Sequence, residues 1–471
     1  MRIRNPRTGE HDHAIEPLDD AALADAATRA RAAQPAWAAR PPAERAEALR
    51  ALARAIGDRR EALAAALTLD TGRRAISYVE VDGTMRVLER WAATAPDLIA
   101  RAAGVARPSA TPGVEVSTLL RPYPLVGAIS PWNFPLTLAL IDAAPALAAG
   151  CAVIVKPSEV TPRFIGPLRD AVAAVPGLAD LLQVVEGDGA TGAALVARVD
   201  YVAFTGSVAT GRLVAAAAAS AFIPASLELG GKDPLIVLPG ADPAHAAQVA
   251  LRASVVNTGQ ACQSIERVYV PRAIAAPFLD ALVAAAGAVR LNHPDIGAGE
   301  IGPFIFEPQA AIVQAQLDDA VANGARVLTG GRVERLGGGL YLRPTVVVDV
   351  APDMALMREE TFGPVIPVTV YDEVDEAVAL ANAGAFGLSA AVLGPDGEAV
   401  AARLDAGAVS IDDGALTSMV WDAEKSSFGL SGLGPSRMGD SGLLRFFRRQ
   451  ALLRQTGRPL PLSAYAEDAP R

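Results

Sequence analysis

Residues 125–156 read LVGAISPWNFPLTLALIDAAPALAAGCAVIVK, and this stretch decides the fold. Leu125–Ile129 and Ala152–Val155 are short apolar runs without polar alternation, the pattern of strands buried on both faces. An Ala- and Leu-rich segment of helical length separates them. The same rhythm continues outward through Leu182–Val185, Tyr201–Phe204 and Ala225–Leu227. Strand, helix and strand in that order predict a parallel, doubly wound α/β sheet.

Beyond Gly230 and Gly231 a second series begins at Leu235–Leu238. It runs through Arg267–Val270, Leu342–Val350, Val365–Tyr371, Ser389–Leu393 and Ala408–Ile411, with helices expected over Ala244–Val256 and Ala276–Val289. Two α/β domains joined near Gly231 follow. The first hundred residues are helical in pattern, with Leu49, Leu52 and Ile56 and then Leu63 and Leu67 on shared faces, and carry no evident chemistry. Val114–Leu120 reads as a strand. The basic, apolar tail Leu443–Leu453 reads either as an oligomer contact made with it or as a solvated surface helix.

The 471 residues exceed a single small module, and a composition of 51% hydrophobic and 20% charged residues is that of a globular protein. A net charge of −10 argues against a broad nucleic-acid surface. The two cysteines, Cys151 and Cys262, provide no disulfide framework, and with four histidines they leave little for a metal centre, so none is expected. No apolar tract suits a membrane span and the start lacks a secretory signal, so a cytoplasmic protein is expected.

Ligands of doubly wound sheets sit beyond the carboxyl ends of the strands. There the sequence places Pro131-Trp132-Asn133-Phe134-Pro135-Leu136, Lys156-Pro157-Ser158-Glu159, Thr205-Gly206-Ser207 and Glu228-Leu229-Gly230-Gly231-Lys232, with Asn257-Thr258-Gly259-Gln260-Ala261-Cys262 one helix later and Glu359-Glu360-Thr361-Phe362-Gly363-Pro364 further on. Taken in this order, together with Asn5-Pro6-Arg7-Thr8-Gly9-Glu10, they resemble the aldehyde dehydrogenase superfamily. The resemblance implies two Rossmann-like domains and a small β oligomerisation element. Residues 1–105 and 123–230 would bind NAD, 231–440 would be catalytic, and 106–122 with 441–471 would form the oligomerisation element and tail of a homodimer or homotetramer.

Cys262 lies in a polar loop where a thiolate can attack a carbonyl carbon, whereas Cys151, flanked by Ala149, Gly150, Ala152 and Val153, reads as packing. The resemblance makes Cys262 the nucleophile, Asn133 the oxyanion donor together with the Cys262 N–H, and Glu228 the base that activates water. Without it, Asn133 reads as a turn residue and Glu228 as a solvated one.

The Gly-x-Gly-x-x-Gly turn is absent; Gly206-Ser207 opens a helix whose free N–H groups can meet a phosphate instead. Trp132 either lines that crevice or packs. By resemblance, Lys156 and Glu159 take the adenosine ribose hydroxyls, Glu360 the nicotinamide ribose and Phe362 the ring, with Ser158 and Leu229 also among the cofactor-binding residues. A carboxylate at 159 repels a 2′-phosphate, so NAD is expected rather than NADP.

The carboxyl-terminal pattern departs from the family: Phe428-Gly429-Leu430 runs directly into Ser431-Gly432, and Gly434 is followed by Pro435-Ser436-Arg437, leaving out an auxiliary glutamate. Leu138, Ile141 and Trp421 suggest a medium-sized apolar or aromatic aldehyde as the small-molecule substrate. Release of the acyl group to coenzyme A, or a binding protein that has kept the fold, are the competing readings.

Overall fold

The computed structural model describes residues 1–467. Four helices, Asp20–Ala38, Pro42–Gly57, Arg60–Thr71 and Arg74–Ala103, precede the first large sheet. That sheet has six strands in the order Gly432–Leu433, Ala225–Glu228, Tyr201–Thr205, Leu125–Ile129, Ala152–Lys156 and Leu182–Val184. All neighbours are parallel except the edge strand Gly432–Leu433, which runs antiparallel to Ala225–Glu228. The chain starts in the middle at Leu125–Ile129, fills one side, and returns with Tyr201–Thr205 on the other. The topological switch point, where doubly wound sheets open a crevice, therefore lies between those two strands.

The second sheet has seven strands, ordered Arg326–Val327, Thr345–Val348, Val365–Tyr371, Ile265–Pro271, Asp233–Val237, Ser389–Leu393 and Ala408–Ile411. It is parallel except for the edge strand Arg326–Val327. Its central strands are buried along their whole length, so their residues are mostly apolar, and the charged ones, Asp233, Glu266 and Arg267, are each bonded inside. The fold is thus α/β with two doubly wound sheets, as the alternating pattern predicts.

Two expectations are corrected. The run Leu342–Val350 is two strands, Gly339–Leu342 and Thr345–Val348. Pro344, which has no N–H to donate, breaks it, and Asp349 adopts φ 57° at its far end. The tail is not a surface helix: after the single turn Ser441–Leu444 it forms the strand Phe447–Gln455, which pairs antiparallel with Val114–Pro122 along nine residue pairs. Arg107–Pro108 completes a three-stranded sheet. The last four residues of the expected tail, 468–471, lie outside the described residues.

Candidate active site

Three of the segments singled out in the sequence converge at the switch point. Leu125–Ile129 delivers Asn133, whose side chain is almost fully buried and whose Nδ2 donates to the Gln260 carbonyl at 3.1 Å. The Asn133 carbonyl in turn accepts from Asn257 Nδ2 at 3.2 Å and Arg73 at 3.0 Å. Asn133 is thereby fixed against the loop that carries Cys262, two residues after Gln260.

That loop is held in an unfavourable shape. Asn257 and Thr258 sit at φ 61° and 60°, in the left-handed region that costs ordinary residues on the order of 1 kcal/mol or more each. Bonds from Asn257 Nδ2 to the Gln260 carbonyl and from Thr258 Oγ1 to the Gly302 carbonyl maintain it. Gly259 follows at φ 67°, and a Cβ there would lie 2.2 Å from the Gly363 carbonyl oxygen. Only glycine allows this approach, which brings the 257–262 loop against the 359–364 segment.

Cys262 keeps part of its surface open, while Cys151 is fully buried. Burial of its surroundings pushes the Cys262 thiol up to about 11. Among charged neighbours Lys425 opposes that shift most strongly, and Glu360, Asp233 and Glu228 add to it. Burial raises the Cys151 thiol further still, in keeping with an inert packing residue.

Glu228 ends its strand nearly buried, with Oε2 accepting from Ser427 Oγ at 3.1 Å. The carboxyl-terminal segment around Ser427 is held in place by pairing: Phe428–Gly429 pairs with Phe386–Gly387, and Gly432–Leu433 pairs back onto Leu227 and Glu228. Arg437 donates to Asp142 at 2.9 Å and to the Thr205 hydroxyl, and so ties this segment to the first sheet.

The residues expected at the cofactor are each held by local bonds or packing. Lys156 Nζ meets Glu159 Oε2 at 3.1 Å; the lysine is buried and the glutamate about one-third exposed. The Ser158 hydroxyl accepts from the Val160 N–H at 3.2 Å, closing the turn that carries both. Ser207 caps the helix Val208–Ser220 by accepting from the Thr210 N–H, which leaves the preceding amides at a positive helix end. Leu229 packs on that helix so closely that a Cβ on Gly211 would lie 2.6 Å from its side chain. Trp132 stacks edge-on to Phe362 with ring centroids 5.4 Å apart.

Glu360 accepts from the Gly231 N–H at 3.1 Å, and a Cβ on Gly230 would fall 2.4 Å from its carboxylate oxygen. Burial, with Glu266 nearby, pushes the Glu360 carboxyl up to about 8. A glycine cradle, a capped helix end, paired aromatic rings and a buried carboxyl side by side fit a dinucleotide.

The helical region is not without chemistry, contrary to its sequence reading. Arg73, Ser77, Glu80 and Thr84 are all buried, at spacings of four, three and four residues. This polar stripe turned inward on Arg74–Ala103 is a signal that the apolar periodicity concealed. Besides the Arg73 bond to Asn133, Glu80 Oε1 accepts from the N–H groups of Leu136 and Thr137 at 2.8 and 3.1 Å, capping the helix Pro135–Leu140. Lys425 and Ser427 were likewise missed, because nothing in their local sequence marks them. Of the residues expected at the entrance, Leu138 and Trp421 are partly exposed and Ile141 is buried.

The chain matches the aldehyde dehydrogenase family over residues 1–452. A solved structure from Anabaena variabilis, described as the aldehyde dehydrogenase PutA, is 49% identical with a TM-score of 0.95 over 98% of each chain. Betaine aldehyde dehydrogenase from Staphylococcus aureus, solved in complex with NAD+, is 30% identical with a TM-score of 0.90, covering 98% of this chain and 92% of that one. A Mycolicibacterium smegmatis protein named as a succinate-semialdehyde dehydrogenase of the NADP(+) type is 38% identical over 440 residues, 91% of this chain and 84% of its own length.

Fold and comparisons together define an NAD(P)-dependent oxidoreductase acting on aldehydes. The chain belongs to the aldehyde dehydrogenase family.

Proposed function

We propose that the enzyme oxidises its aldehyde through covalent catalysis by Cys262. The observation that carries this reading is the convergence of Asn133, Glu228 and the loop of Cys262 at the switch point, with Asn133 bonded to Gln260 in that loop. The Cys262 thiol loses its proton to solvent and its sulfur bonds to the carbonyl carbon. The carbonyl electron pair moves to oxygen, where Asn133 Nδ2 and the Cys262 N–H stabilise it. When bound, the dinucleotide supplies the hydride acceptor. Glu228 then activates the water that cleaves the thioester and frees the carboxylic acid and the thiol. In balance, aldehyde, water and NAD+ give acid, NADH and a proton. Replacing Cys262 by serine should abolish NADH formation and leave cofactor affinity intact; sustained turnover would defeat the assignment.

Glu228, held by Ser427, supports water as the acyl acceptor. Product assays with and without coenzyme A test this, and acyl-coenzyme A as the main product would refute it. The Lys156–Glu159 pair supports NAD: a 2′-phosphate would meet the Glu159 carboxylate or have to break the pair. The NADP(+) in the name of the Mycolicibacterium relative makes the comparison of kcat/KM for the two cofactors decisive.

Leu138 and Trp421, with the exposed Met419 and Val420 beside the latter, support a medium-sized apolar or aromatic aldehyde. A panel that favours carboxylated semialdehydes would overturn this. We assign residues 1–105 and 123–230 to the cofactor domain, 231–440 to the catalytic domain, and 106–122 with the tail to a homodimer or homotetramer contact. Leu119, Leu452 and Leu453, exposed on the three-stranded sheet, support the last assignment, which light scattering checks.

A further inference from the structure

The segment that carries Glu360 and Phe362 is strained and yet firmly held. Phe362 sits at φ 54°, in the left-handed region that a bulky side chain rarely enters unless its surroundings over-determine it. Its N–H donates to Glu266 Oε1 at 2.7 Å, and the Thr361 N–H donates to Glu266 Oε2 at 2.8 Å. One carboxylate thus takes two successive amides and fixes the peptide groups that lead into Phe362.

Glu266 is 3% exposed, and a carboxylate so buried needs a counter-charge. Lys232 supplies it, with Nζ on Glu266 Oε2 and on Thr361 Oγ1, both at 2.8 Å. The pair also links the walls of the site. Lys232 follows Gly231, whose N–H donates to Glu360 and whose added Cβ would lie 2.7 Å from the Cys262 carbonyl oxygen. Glu266 itself begins near the start of Ile265–Pro271, four residues after Cys262. The stretch that carries Cys262 therefore also carries the group that sets the Phe362 backbone.

We propose that Glu266, with Lys232 as its counter-ion, is a positioning residue for hydride transfer: by holding the Thr361 and Phe362 amides it fixes the Phe362 ring relative to the Cys262 loop. The proposal rests on the reading of Cys262 as the nucleophile and of Phe362 as the neighbour of the nicotinamide.

Three variants of the full-length protein test it. Glu266→Gln offers an oxygen to only one of the two amides. Lys232→Met combined with Glu266→Gln does the same and leaves no buried charge unpaired. Phe362→Ala removes the ring. Gln309 and Gln316 still hold the Thr361 and Glu360 carbonyls, at 2.7 and 3.3 Å, so the segment stays attached in the Glu266 variants.

Hydrogen exchange of the peptide spanning 359–364 is measured in the cofactor-free protein, and the first turnover of NADH formation is followed by stopped flow at saturating NAD and aldehyde. In both Glu266 variants the Thr361 and Phe362 amides should exchange about tenfold faster. The first turnover should slow about tenfold at unchanged amplitude, because a small misplacement of reacting groups costs rate on that order. A merely structural role would lower the amplitude, which counts active enzyme, and leave the rate constant of the remainder as in wild type.

Faster exchange without a slower first turnover would overturn the proposal, as would a slower first turnover without faster exchange. Lowered amplitude at an unchanged rate constant would overturn it too. If Phe362→Ala leaves the first turnover unchanged, the placement of the nicotinamide fails and the proposal fails with it; if Phe362→Ala slows it and the Glu266 variants do not, the proposal alone is wrong. The nucleophile assignment fails separately, through turnover by Cys262→Ser.

Discussion

Gly230→Ala probes the cofactor side of the site through a single methyl group. The Cβ it adds would lie 2.4 Å from Glu360 Oε2 and 2.6 Å from both Cδ and Oε1. Ordinary contact needs about 3.5 Å, so the carboxyl must retreat by about 1 Å. It would then lose the 3.1 Å bond from the Gly231 N–H and leave the position proposed to hold the nicotinamide ribose.

Because the obstacle is the end of a flexible side chain and Gly230 is not at positive φ, the fold should tolerate the change with a melting shift of no more than about 2 °C. The binding effect depends on pH, since the Glu360 carboxyl is pushed up to about 8. A neutral hydrogen bond is worth about 1 kcal/mol and one to a charged group about 2. NAD affinity, measured by quenching of protein fluorescence, should therefore fall about fivefold at pH 7 and about 30-fold at pH 9. Unchanged affinity at both pH values would refute the placement of Glu360, and a collapse of stability would refute the claim that only its carboxyl moves.

Further outcomes follow from the same geometry. With its thiol pushed up to about 11, Cys262 should alkylate about tenfold faster for each pH unit from 7 to 9 without reaching a plateau, while Cys151 stays unmodified in the native protein. Arg73→Met should lower kcat by freeing the Asn133 carbonyl, and should cost about 1 kcal/mol in urea unfolding at pH 7, the worth of that one hydrogen bond, because Glu80, already pushed up to about 7 by burial, takes a proton.

The Glu360 carboxyl binds its proton more tightly folded than unfolded, so its contribution to stability is complete below about pH 4 and is lost as pH rises towards 8. Glu360→Gln should flatten that part of the stability profile of the cofactor-free protein. An identical slope in both proteins would contradict the raised carboxyl.

Strands inside the two sheets were legible to the residue at Leu125–Ile129, Val365–Tyr371 and Ser389–Leu393, because parallel strands covered on both faces run largely apolar, and the half-buried edge strand Ala408–Ile411 was legible as well. The tail strand Phe447–Gln455 was not: eight of its nine residues are exposed, so neither alternation nor an apolar run marks it, and its structure comes from pairing with Val114–Pro122.

At the site, residues held by short local motifs could be read directly, among them Ser207 at its helix start. Arg73, Glu80, Ser427 and Lys425 reach the site across long sequence separations, and a single sequence carries no record of such contacts. The order of the motifs set them at strand ends; the bonds that hold Asn133 and Glu228 became visible only in three dimensions.

The central claim is a covalent intermediate on one of two cysteines. Glu228→Gln, mixed with NAD and an aromatic aldehyde, quenched in acid and digested, should show the acyl mass on the peptide containing Cys262 and none on that containing Cys151. A burst of NADH equal to the enzyme concentration should accompany it. Undiminished steady turnover with no acylated Cys262 peptide would contradict the account.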